Sequence, residues 1–348
     1  MDVLEGSADP LTFACARIVN GEGGQSASPA WITIADGRIV ATGSGSPPPG
    51  ARDLGDATIA PGLLDVQVNG CGDVEFATAS VDEIVAAVDG LRAAGTTGVL
   101  LTVCTAPLEA YDSILARLAA VQSARPASVL GVHLEGPFLG EALGAHPAEL
   151  VRHVDLIWLE ELCDRFGKLV RMVTLSPEAD AGALATRALV ARGIVVALGH
   201  STADYETALA FAGAGATVAT HLFNGMGPMH HRAPGLAGAA LTHGALVPSL
   251  IADFVHVHPA IVELVLRARA DTVLVSDAVP TAATYLEDGT LAGSDVTLWQ
   301  CVEHVLSLDL PLPRAIRCAT ANPARVLGLS DRGRIAPGAR ADLLALRL

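Results

Sequence analysis

Four apolar runs in the 348-residue chain end in a residue able to bind a metal or carry a proton. They read "HLEGPF" with Glu135, "LGHS" with His200, "ATHLFNGM" with His221 and "VSDA" with Asp277. Each has an ordinary explanation when taken alone. A histidine beside an apolar strand is commonly a satisfied core residue, Glu135 before Gly-Pro can shape a turn, and Asp277 can cap a helix. Taken together, two imidazoles and one carboxylate form a donor set that leaves coordination positions for water, as catalytic zinc or ferrous iron requires. Water held by such a cation ionises near neutral pH and becomes a nucleophile. Asp277 then has a task, as base toward that water and as acid toward a leaving amine. Beside a cation its carboxylate stays ionised.

These residues are far apart in sequence, so a scaffold must gather them. Between the ends of the chain, apolar runs alternate with helical patterns. Eight strands are expected at Leu63–Val68, Gly98–Val103, Val129–Leu134, Leu169–Leu175, Ile194–Leu198, Thr217–His221, Val247–Ile251 and Thr272–Ser276. Helices are expected at Val81–Ala94, Leu108–Ala124, Gly182–Ala191, Ala203–Ala212 and Pro259–Ala268. Eight β-then-α units close into a TIM-like (β/α)8 barrel, whose chemistry sits at the C-terminal strand ends. An open doubly wound sheet is the competing architecture, but no G-x-G-x-x-G follows the first strand. The ends of the chain read differently. Leu11–Val19, Trp31–Ala35 and Arg38–Thr42 are short β-type runs, "DG" at Asp36-Gly37 signals a hairpin, and "GRIAPGARADLLALRL" ends in a strand. Both ends are expected to pair into a small β-sandwich, giving segments 1–58 and 331–348 around a barrel at 59–330.

Composition narrows the function. Hydrophobic residues make up 51% of the chain and aromatic residues only 4%, which suits the small branched packing of a parallel α/β fold. A formal net charge of −15 argues against nucleic acid or an anionic membrane surface as partner. No apolar run is long enough to span a membrane, and "MDVLEGSADP" lacks the basic and apolar regions of a signal peptide. The six cysteines form no C-x-x-C and are expected to be free thiols in a reducing, cytoplasmic setting.

The stretches "APGLLDVQVNGCG", "HLEGPF", "LGAH", "TLSPE", "GHS", "ATHLFNGM", "HHRAPGLAG", "SDA", "GTLAGS" and "IAPGARADL" occur in the order found in the amidohydrolase superfamily. They most resemble the N-acetylglucosamine-6-phosphate deacetylases, and the resemblance spans most of the chain. It implies the barrel with a β-sandwich built from both termini, and one divalent metal, zinc foremost and iron as the alternative. Glu135, His200 and His221 would hold the metal, and Asp277 would be general base and then acid. His146 would polarise the acetyl carbonyl. Asn224 and Gly225 would contact the sugar phosphate, Arg232 and His256 would pair with the phosphate, and Leu291 would line the sugar pocket. The substrate would be a small amino sugar phosphate and the assembly a homodimer. Where other superfamily members carry H-x-H on the first strand, this chain has Gln67 and Asn69. Neutral amides are poor zinc ligands, so one tightly held cation is expected, with Gln67 holding a water.

The match departs from the family's pattern in three places that bear on the sugar. The Val279–Asp288 segment is short, Ala233 stands where a glutamate usually follows "HHR", and the loop from Phe138 to His146 lacks basic residues. Deacetylation of N-acetylgalactosamine 6-phosphate or of an unphosphorylated N-acyl amine therefore stays open, as does a non-catalytic scaffold on the same fold. His230 and His231 read equally as part of a cationic cluster with Arg232 or as a solvated turn or subunit contact. His256 and His258 form an H-x-H, but His258 precedes Pro259 and is expected to start a helix.

Overall fold

The computed structural model describes residues 1–4 and 9–347; residues 5–8 and 348, inside the segments expected to form the sandwich, lie outside it. Eight parallel strands form one sheet: β1 (Leu63–Val68), β2 (Thr96–Val103), β3 (Val129–Glu135), β4 (Val170–Leu175), β5 (Val195–Leu198), β6 (Val218–Ala219), β7 (Val247–Ile251) and β8 (Val273–Val275). Every residue of β1, β2 and β8 is buried, as strands covered on both faces must be. The sheet closes just beyond β8, where Asp277 N donates to Gln67 O at 2.9 Å and Asn69 N donates to Ala278 O at 2.7 Å.

Helices α1 (Val81–Ala93), α2 (Tyr111–Ala124), α3 (Leu156–Phe166), α4 (Leu184–Ala191), α5 (Tyr205–Ala214), α6 (Gly235–Thr242), α7 (Pro259–Ala268) and α8 (Leu298–Leu306) each follow one strand. The start of α7 is the expected one, with Pro at the first helical position and the His258 side chain accepting from Ala260 N at 3.2 Å. Other boundaries moved for local reasons. α5 begins at Tyr205 because Asp204 caps it, and α4 begins at Leu184 because Gly182 and Ala183 have φ of 69° and 57°. β6 stops at Ala219 rather than His221, whose φ of 28° takes it out of the ladder.

Inside the barrel, Val66, Leu100, Met172, Ala197, Val218, Ile251 and Val273 form a buried apolar plug, so the interior is a core and not a channel. The terminal segments form two four-stranded sheets. One orders Asp2–Leu4, Leu343–Leu346, Thr58–Pro61 and Arg17–Ile18; the other orders Arg38–Ser44, Ala30–Ala35, Leu11–Cys15 and Arg52–Asp53. Residues of Ala30–Ala35 alternate buried and half-buried, the period of a strand with one face on a core. Its hairpin turns at Asp36-Gly37, with φ of 48° and 67°, as a type I′ turn demands. The sandwich has its own apolar core around Phe13, Ile32, Ile34, Ile59 and Leu343.

Arg332 ties the C-terminal segment to the barrel. It is 9% exposed, donates to Asp342 Oδ2 at 2.9 Å and donates to Ala127 O, just ahead of β3, at 2.6 Å. Removing Asp342 leaves a buried guanidinium without its counter-charge. Asp342→Ala is therefore expected to lower the urea unfolding free energy by about 3 kcal/mol; an unchanged midpoint and slope would show that water compensates the arginine.

Candidate active site

One cavity of about 170 Å³ opens at the C-terminal strand ends, and Glu135, His146, His200, His221, Asn224, Gly225, His256, Asp277 and Leu291 line it together with Asn69 and Cys104. Strand order explains the convergence. Glu135 is the last residue of β3, and His200, His221 and Asp277 stand two residues past β5, β6 and β8. These three have φ of 50°, 28° and 48°, a region costly for residues other than glycine and one that clusters at functional sites.

Glu135 Oε1 lies 3.2 Å from His200 Nε2 and 2.9 Å from His221 Nε2, and the two nitrogens are 3.1 Å apart. All three side chains are buried. Bonds of about 2.0–2.1 Å to a tetrahedral zinc put neighbouring donor atoms about 3.3 Å apart, close to the edges of this triangle. Two inward imidazole nitrogens and a carboxylate oxygen at such distances can share one cation in place of the protons that join them here, so the residues fit a divalent metal. His200 Nδ1 is 3.1 Å from Ala142 O, an outer contact that would leave Nε2 free to hold a cation. Gly225 is required beside it: φ is +56°, and a Cβ would come within 2.6 Å of His200 Nδ1.

The electrostatics follow from burial and charge pairing. Burial works to raise Glu135, but hydrogen bonds and charge from His200 and His221 outweigh it and hold the carboxyl well below the usual range. Burial works to lower His221, and Glu135 overrides it, pushing the imidazole up to about 9. Asp277 is raised, first by burial and then by the charge of Glu135; a cation in the triangle acts in the opposite direction. Gln67 Nε2 donates to Glu135 Oε1 at 3.0 Å and to Asp277 Oδ1 at 3.1 Å, and Asn69 Nδ2 donates to the same Oδ1 at 2.9 Å. The amides that stand in place of an H-x-H thus hold the two carboxylates directly.

Around this centre, His146 Nδ1 lies 2.8 Å from Thr105 Oγ1, and burial followed by the charge of His200 pushes the ring down to about 3, so it is neutral. His256 Nδ1 lies 2.6 Å from Asp253 Oδ2. The short Val279–Asp288 segment still folds back through a Tyr285–Leu291 bridge, which brings Leu291 to the cavity wall. Arg232 stands apart: it is exposed, outside the cavity of its own chain, with Nη1 3.0 Å from His231 Nε2.

Sequence reasoning did not single out Asp253, Thr105, Cys104 or His133. Asp253 had a local signal, since an aspartate three residues before a histidine can accept from its backbone, as Oδ1 does here from His256 N. His133, two residues before Glu135, bridges Val66 O and Thr174 Oγ1, and burial pushes it down to about 4.

A closed parallel barrel with a buried carboxylate–imidazole triangle and a neighbouring aspartate defines a metal-dependent hydrolase. Residues 58–348 match the amidohydrolase family. The chain is 38% identical to N-acetylglucosamine-6-phosphate deacetylase of Bos taurus over 85% of its length and 81% of the relative's. It is 30% identical to the Bacillus subtilis enzyme of that name over 90% and 88%. A solved variant of N-acetyl-D-glucosamine-6-phosphate deacetylase from Mycobacterium smegmatis, in complex with N-acetyl-D-glucosamine-6-phosphate, superposes with a TM-score of 0.91 at 34% identity, covering 97% of this chain and 95% of that one. The chain belongs to the amidohydrolase family and, within it, to the N-acetylglucosamine-6-phosphate deacetylases. All six cysteines are free thiols, and among the described residues no helix is long and apolar enough to cross a membrane.

Proposed function

We propose that the chain hydrolyses the amide of N-acetylglucosamine 6-phosphate to acetate and glucosamine 6-phosphate, with zinc held by Glu135, His200 and His221. The observation that carries this reading is the anchoring of Asp277 Oδ1 by two amides beside the triangle, which leaves Oδ2 for proton transfer. When bound, the cation supplies Lewis acidity, polarising an acyl carbonyl and making water a nucleophile at neutral pH. Asp277 takes the proton of the attacking water and passes it to the departing nitrogen. His146, neutral, offers Nε2–H to the acyl oxygen as charge develops there, in the tautomer whose Nδ1 accepts from the Thr105 hydroxyl. Asn224 and Gly225 position the sugar phosphate, and Leu291 packs on the sugar. Asp253 holds His256 by Nδ1, so Nε2 is left to donate to the phosphate. Arg232, outside the cavity of its own chain, reaches a phosphate across a homodimer interface. Six free thiols favour a reducing, cytoplasmic setting.

Acetate release from a panel of N-acetylated sugars, assayed with defined metal, tests the reading. The value of kcat/KM for the phosphorylated sugar is expected to exceed that for bare N-acetylglucosamine by at least about a hundredfold, the worth of two charge-assisted hydrogen bonds at about 1.5 kcal/mol each. His256→Ala should shrink that ratio; equal values for the two sugars in the unaltered enzyme would remove the phosphate contacts.

A further inference from the structure

Cys104 follows the last residue of β2 and faces the same cavity as the proposed zinc ligands, yet the deacetylation proposed above gives it no task. Its Sγ lies 3.8 Å from Glu135 Oε2 and 3.1 Å from Asn69 Oδ1. Glu135 Oε1 is the oxygen turned toward His200 and His221, so Oε2 is the opposite face of the same carboxylate. His146 completes the group: donor atoms of Cys104, Glu135 and His146 all lie within 4.8 Å of one another. We propose that Cys104, Glu135 Oε2 and His146 form a second cation site, adjoining the first through Glu135 and selective for borderline or soft divalent ions.

The donor set decides the class of ligand. A thiolate with an imidazole selects zinc or cadmium over magnesium and calcium, which prefer oxygen donors alone. Asn69 Oδ1 adds a neutral oxygen once the thiol no longer donates to it. Binding releases the thiol proton to solvent and forms one sulfur–metal bond, with no change of oxidation state. The cavity opens to solvent at Gly144–Pro147, so the ion has an entry path. Because the site recruits His146, its filling arrests turnover. The second site thus makes the enzyme sensitive to excess zinc, a regulation distinct from its need for the first ion. The arrest rests on the proposed role of His146, whereas the occupancy does not.

The test titrates the one-metal enzyme with zinc or cadmium and reads bound metal per chain by elemental analysis beside turnover. The unaltered enzyme is expected to take up a second equivalent as activity falls, and in Cys104→Ser the half-saturating concentration for that equivalent should rise at least about tenfold. Cobalt in place of the second ion should add a near-ultraviolet sulfur-to-metal absorption that the variant lacks. In the unaltered enzyme zinc should also slow alkylation of Cys104, located by peptide mass, which decides the matter if the variant folds poorly. Equal uptake by both proteins, no sulfur-to-cobalt band, or unprotected alkylation overturns the site. A second equivalent bound through Cys104 without loss of turnover keeps the site and rejects only the role given to His146.

Discussion

Asp277→Asn is expected to keep its full complement of metal while kcat falls by about 10²–10⁴-fold, the worth of a positioned general base and acid. The substitution isolates proton transfer from geometry. Oδ1 of Asp277 accepts from Gln67 Nε2 and Asn69 Nδ2, and an asparagine oxygen accepts the same two bonds. The backbone stands at φ 48°, a conformation asparagine tolerates better than alanine does, so the strand end should hold its shape. What is lost is a second oxygen that can carry a proton, since an amide nitrogen there cannot. Steady-state kinetics with elemental analysis on the same sample checks both halves. Near-normal turnover would take Asp277 out of the mechanism, and loss of metal together with activity would make it a ligand instead.

The parts of this site that could be read from sequence are those where chemistry interrupts an apolar run. Glu135, His200, His221 and Asp277 each end one, and a closed barrel leaves a single mouth for strand ends to face. Cys104 ends the run "VLLTVC" in the same way, but a cysteine counts as apolar, so the pattern passes over it. Secondary structure was legible where a cap or a period marks it. Pro259 opens α7, whereas α6 carries Leu236–Ala240 buried on all sides and so shows no stripe to separate it from a strand. The sixth strand stops at Ala219 rather than at His221 because the turn that removes His221 from the ladder is imposed by tertiary contacts, including the bond from His221 N to Ser249 Oγ at 2.7 Å. Arg232 marks a different boundary: its histidine neighbours in sequence say nothing of which molecule it faces.

Stripping the cation with a chelator should cost several kcal/mol of transition-state stabilisation, at least about a thousandfold in kcat/KM, and returning zinc should restore it. The same ion is expected to support the fold. At a thousandfold excess over its dissociation constant a ligand adds about 4 kcal/mol to stability, so the stripped protein should melt at a distinctly lower temperature. Glu135 is where the two effects meet. It is 2% exposed, and its Oε1 is shared by His200, His221 and Gln67. Glu135→Gln nearly preserves volume but removes the negative charge that offsets the cation and leaves an amide N–H₂ among three donors. That variant should behave as the stripped enzyme does, inactive and lower-melting, and added zinc should move neither property. Uptake of zinc by Glu135→Gln with the full rise in melting temperature would mean that the cation binds elsewhere and that the triangle is only a buried ion pair.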